Sequence, residues 1–182
     1  MTDENKGGNP DQTAGAQTQA DAGPPLVVIH QFLKDLSFEN PLGVDTPQAL
    51  TEAPTGMIRV DVKVKPLSPP DIEVVLFMSV DAKIGERSVY VVECEYAGVF
   101  RMGKVPQEHV LPLVMIEAPR LLFPFARQVI ANAVAAGGFP PLLINPVDFV
   151  TIYREKREEM LKQVEAQKAA SAAPMGGAAG NA

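Results

Sequence analysis

Hydrophobic and polar positions alternate most strictly over residues 57–65, where Ile58, Val60, Val62 and Val64 share one parity and Arg59, Asp61, Lys63 and Lys65 the other. Successive side chains of a strand point to opposite faces, so this stretch predicts a half-buried strand. A first strand is predicted over about 26–38, ending before Asn40-Pro41; in it Leu36 and Phe38 face one way and Asp35, Ser37 and Glu39 the other. A third runs over 71–84 after the prolines of 66–70, and a fourth over about 88–102 after a hairpin at Gly85. The even positions of the third strand are all apolar, but its odd positions include Val75 and Phe77 among acids. In the fourth, Val89, Val91 and Val99 share a face with Glu93 and Glu95, while Tyr90, Val92, Cys94, Tyr96 and Phe100 take the other. Both faces of the sheet are therefore partly hydrophobic. Something must cover the second face, either long loops of the same chain or a subunit or apolar ligand.

After Gly103 the period lengthens. A short helix is predicted over 106–116, with Val105, Val110 and Val114 inward. Pro119 can open a second helix, whose inner stripe is Leu121, Leu122, Phe125, Val129, Ala133 and Ala136, with Gly137-Gly138 ending it. Pro124 either kinks that helix or marks its true start. Asn145-Pro146 offers a cap for a last helix that begins apolar at Val147 and Phe149 and turns charged over 154–159.

The ends differ from the middle. Residues 1–25 hold no aromatic and, beyond Met1, no large aliphatic side chain, so they predict a disordered tail. Residues 166–182, rich in Ala and Gly with only Lys168 charged, predict a second flexible tail. One folded domain over 26–165 is left, of ordinary size and apolar enough to build a core. The net charge of -6 lacks the cationic surface that nucleic acid or an anionic membrane requires. The acidic, polar N-terminus is unlike a secretory signal, and the apolar run at 110–116 is short for a membrane helix and carries Pro112.

Little in the chain points to catalysis. One cysteine, Cys94, and two histidines, His30 and His109, fall short of a structural zinc set and make an intrachain disulfide impossible, which suits reducing cytoplasm. Cys94 lies between Glu93 and Glu95, whose charge raises a thiol pKa and disfavours a nucleophile. His30 reads as a core or interface residue and His109 as exposed. Phosphate-binding glycine loops and nucleophile elbows are missing from the sequence, so no cofactor, metal or catalytic residue is expected.

Five separated stretches carry a family resemblance: Lys-Asp-Leu-Ser-Phe-Glu-Asn-Pro at 34–41, Gly-Val-Phe at 98–100, Leu-Phe-Pro-Phe-Ala-Arg at 122–127, Gly-Phe-Pro-Pro at 138–141 and Asn-Pro-Val-Asp-Phe at 145–149. Each is weak alone; in this order and spacing they resemble SecB, the bacterial protein-export chaperone family. The resemblance implies an α+β fold, a four-stranded antiparallel sheet with C-terminal helices packed on one face, assembling as a homotetramer that is a dimer of dimers. It implies an ATP-independent cytoplasmic chaperone that binds unfolded preproteins in hydrophobic grooves and passes them to the SecA motor, without inserting into the membrane. Carried over by position, Asp35, Glu39, Val91 and Glu93 become contacts for SecA. Ile58, Val60, Val62, Leu122 and Phe125 become groove residues, with the 41–54 connection as another wall. Two other readings remain at this point: a chaperone of the same fold dedicated to one client, such as a toxin-antitoxin system, and a carrier of a small apolar ligand.

Overall fold

The computed structural model describes residues 23–49 and 52–172. Four long strands, β1 (Leu26–Glu39), β2 (Thr55–Pro66), β3 (Asp71–Ile84) and β4 (Arg87–Met102), form one antiparallel sheet in the order β1-β4-β3-β2. The predicted strands match to within two residues at each end, because prolines and glycines punctuate the alternating runs. Gly85 turns β3 into β4 with φ +56, a left-handed conformation that costs glycine little. The β4–β1 pairing returns across 41–54 and the first two hairpins, so β1 and β2 are the two edges. A single turn of α1 (Thr46–Ala49) lies in that connection, held by Asn40, whose Oδ1 accepts from the Leu42 and Gly43 amides at 3.0 and 3.1 Å.

One long helical stretch follows: α2 (Gln107–Pro112), a π-helical turn (Leu113–Glu117) and α3 (Ala118–Ala136). The two helices expected around Pro119 are thus continuous, and α3 passes through Pro124 without ending. Its inner stripe is also rotated from the expected one. Leu122, Phe123, Ala126, Ile130 and Val134 are buried, while Leu121 and Phe125 face outward, each 47% exposed. The helix carries two apolar stripes, and spacing alone could not say which one meets the sheet. By length and composition the stretch Gln107–Ala136 is long and apolar enough to cross a membrane, contrary to the reading of its 110–116 run. Here its apolarity serves the sheet-facing core instead.

The last helix, α4 (Phe149–Ala172), begins later than Asn145 suggested. Asp148 caps it, its Oδ1 accepting from the Val150 amide at 3.0 Å, and the hydrogen bonds from Thr151 hold its carboxyl below the usual range. Its charged stretch over 154–159 is exposed apart from the half-buried Lys156. Of the tails expected over 1–25 and 166–182, residues 1–22 and 173–182 lie outside the described residues, and residues 166–172 continue α4 instead of forming a loose tail.

The core sits between the inner sheet face and α3. Val74, Leu76, Met78 and Val80 of β3 and Val92, Cys94 and Phe100 of β4 are buried there with Leu122, Ile130 and Phe149. Gly98 is required for that contact: a Cβ would come within 2.7 Å of the Phe100 ring and 2.9 Å of Leu122. Val89, expected on the outer face, turns into the core at a register shift between β3 and β4 near Ala82.

Candidate client groove and docking face

The register fixes what stands beside what on the outer sheet face. Residues directly opposite in neighbouring strands share a face. Three successive rows therefore read, from β2 to β1, Met57–Asp81–Val91–Glu39, Arg59–Ser79–Glu93–Ser37 and Asp61–Phe77–Glu95–Asp35. Asp35, Glu39, Val91 and Glu93 thus fall on one side of the sheet, in adjoining positions of β1 and β4. Sequence could supply only the parity within each strand; the pairing of β1 with β4 joins them.

The rest of that face is knitted together. Lys34 donates to Glu73 at 3.0 Å, Lys63 to Glu95 at 2.8 Å, and Arg101 to Asp71 at 2.8 Å. The hydrogen bond to Glu95 raises the Lys63 pKa, and the hydrogen bond from Arg101 lowers that of Asp71. Lys63 also lies 5.4 Å above the Phe77 ring centroid. Among the described residues, Val75 sits in a depression lined by Lys34, Lys63, Lys65, Glu73 and Glu95 and is 4% exposed. Among the described residues, Asp35, Glu39 and Glu93 form no ion pair, and Glu93 meets only the Ser79 hydroxyl, at 3.3 Å. The unpaired acids are the ones at the β1/β4 end.

The predicted groove residues separate into three kinds. Ile58 and Val60 line a depression of about 430 Å³ with Leu143, Ile144, Val147 and Ile152, between the β2 edge, the 139–148 connection and α4. Ile58 is 42% exposed there. Val62 shares their parity but is only 1% exposed, and Leu122 is 0% exposed. Both are core residues here, not groove walls. Val62 is closed off because α4 is fastened to the β2 edge beside it: Lys156 donates to Asp61 Oδ1 at 2.6 Å and to the Val62 carbonyl at 2.7 Å. Phe125 stands apart on the outer stripe of α3, stacked on Tyr96 with ring centroids 6.1 Å apart. The sequence did not single out Leu143 and Ile152, although Leu143, 80% exposed in an apolar run, was the available signal.

Groups that might have carried chemistry are placed unfavourably for it. Cys94 is buried, and burial first, then the charges of Asp35 and Glu95, push its thiol up to about 11. His30, expected in a core or interface, is exposed in this protomer and stacks on Phe32 at 5.3 Å; His109 is exposed. The molecule presents two distinct surfaces, an apolar depression beside β2 and a charged sheet face.

A family model described as preprotein translocase subunit SecB matches residues 19–160. The chain belongs to the SecB family. Relatives in curated collections agree: the protein-export protein SecB of Bradyrhizobium sp. (strain BTAi1 / ATCC BAA-1182) is 46% identical over 160 residues, covering 85% of this chain and 94% of the relative. That of Sinorhizobium medicae (strain WSM419) is 47% identical over 146 residues, covering 80% and 86%. Among solved structures, a Mycobacterium tuberculosis SecB-like chaperone in complex with a ChAD peptide from the HigA1 antitoxin superimposes with a TM-score of 0.56 at 12% identity, covering 68% of this chain and 91% of that one. At that identity the likeness shows the SecB-like fold, a four-stranded antiparallel sheet with C-terminal helices.

Proposed function

We propose that this chain is an ATP-independent protein-export chaperone of the cytoplasm, which holds unfolded preproteins and delivers them to SecA. The observation that carries the reading is an apolar groove left open beside a sheet edge in a protein with two distinct outer surfaces. Fixing one residue of a client costs about 1–2 kcal/mol, and burying one Val, Leu or Phe side chain returns roughly 1.5–3 kcal/mol. A few anchors against Ile58, Val60, Leu143 and Ile152 can therefore hold a chain whose linking segments stay mobile. A folded client hides its anchors, so selection follows folding rate and needs no nucleotide.

Avidity supports the proposed dimer of dimers, since a second groove then acts at an effective concentration on the order of millimolar. The exposed stripe of Leu121 and Phe125, with Leu33 and Leu36 exposed on the β1 side, is apolar surface suited to a neighbouring subunit. SecA would meet Asp35, Glu39, Val91 and Glu93. Export is favoured over a chaperone for one dedicated client by the identity of 46% to an export protein against 12% to the antitoxin-bound chaperone.

Light-scattering mass determination tests this, with an unfolded preprotein and its folded form as control. The expected result is a tetramer that gains mass only with the unfolded chain. A monomer indifferent to it would sink the proposal.

A further inference from the structure

Two of the four proposed SecA contacts, Val91 and Glu93, also line a depression of about 780 Å³ that continues across the sheet onto β3 and β2, reaching Ser79, Asp81, Met57 and Arg59. Its electrical layout is set by register. Arg59 stands opposite Ser79, and Ser79 opposite Glu93, so within one row a cation on β2 and an anion on β4 flank a hydroxyl on β3. Neighbouring strands lie about 4.8 Å apart, so roughly 10 Å separates the two backbones; Lys63 and Glu95 pair across the same separation at 2.8 Å, whereas among the described residues Arg59 and Glu93 do not pair. The other charges at the rim, Lys83 and Asp81, satisfy each other at 3.3 Å. Among the described residues Arg59 has no ion-pair or hydrogen-bond partner, whereas Lys34, Lys63, Lys83, Arg101 and Lys156 each pair with an acid. Beside this row Met57, 66% exposed, and Val91 supply the apolar part of the floor.

We propose that this depression makes docking directional: Arg59 takes a carboxylate side chain of the docking partner, while Glu93, Asp35 and Glu39 take its basic ones and Met57 and Val91 seat an apolar side chain between. The partner is a segment of SecA carrying both signs of charge, so this rests on the proposed SecA reading. Its sign is what distinguishes it. A partner that is purely basic is repelled by Arg59, and reversing that charge would tighten it. A segment with an acid at this end loses its pair on reversal and sits less well in any other orientation.

The test is the affinity of full-length SecA for the full chain and its Arg59→Glu, Arg59→Lys, Glu93→Gln and Asp35→Ala/Glu39→Ala variants. It is run at low and high salt, with unfolded-preprotein binding and melting temperature as controls. Arg59→Glu should weaken SecA about fivefold to tenfold at low salt, the loss shrinking as salt rises, and Arg59→Lys should keep most of the affinity. Client binding and melting should not move, because Arg59 is exposed on the face opposite the core. Unchanged or tighter SecA binding by Arg59→Glu, with Glu93→Gln still weakened, overturns the directional model and leaves the docking face standing. SecA indifferent to every variant, the acidic ones included, overturns both.

Discussion

The two faces of the sheet solve opposite problems with the same alternation. On the inner face, Val74, Leu76, Met78 and Val80 are buried beneath α3, while the β2 margin at Ile58 and Val60 and the β1 margin at Leu33 and Leu36 stay open. Among the described residues no helix packs on the outer face. Charged side chains cross-link the surface at Lys34–Glu73, Lys63–Glu95 and Arg101–Asp71, and leave the acids at one end unpaired. An apolar margin recognises any sequence that has side chains to bury, since the hydrophobic effect has no direction. A patterned charged face recognises one partner, because misplaced like charges are penalised. Under the proposed function, the open apolar margin serves varied clients and the patterned charged face one recipient.

The sharpest way to break the comparison is to misassign a residue between core and groove. Leu122→Ala should lower folding stability by about 2–5 kcal/mol, read from the denaturant midpoint, because it removes a fully buried side chain beneath Gly98. A groove residue would instead show weaker client binding at unchanged stability. Ile58→Ser with Leu143→Ser should do that: roughly 1 kcal/mol is lost per side chain, allowing for partial exposure, so affinity for unfolded preprotein falls tenfold or more in a fluorescence titration while the melting temperature holds. Asp35→Ala with Glu39→Ala should act on the other face, lowering SecA affinity about tenfold with client binding intact; equal loss of both would make the face structural.

The smallest expected effect is on pH. The hydrogen bond from Arg101 depresses the Asp71 carboxyl below its ordinary 3.8. A lowered folded-state pKa contributes stability that is present above the unfolded value and lost as pH falls through the folded one. Asp71→Asn should therefore lower the melting temperature slightly at pH 7, with the difference from the parent chain vanishing as pH falls well below about 4, which a calorimetric series would check. The exposure of the pair keeps the change small.

Strands were the most legible part of the chain. Over 57–65 and 71–84 period-2 alternation ends at prolines or glycine, so local chemistry decides the element. The α3 face was not legible, because Leu121–Phe125 and Leu122–Ala126 offer two apolar stripes and only the sheet at Gly98 selects one. Capping by Asp148 was hidden by the more conspicuous Asn145-Pro146. The acids of the docking face could be named one strand at a time, but their adjacency depends on β1 returning to pair with β4, a contact more than fifty residues away. Val62 shows the same limit from the other side: its parity matches Ile58 and Val60, and a lysine of α4, Lys156, is what removes it from the groove.

Separate surfaces for client and recipient are the central claim, and sedimentation of the chain with SecA and an unfolded preprotein together tests it most directly. The account predicts a ternary complex, with SecA affinity held within about twofold at saturating client. Displacement of SecA by the client, stoichiometric and without a ternary species, would contradict it.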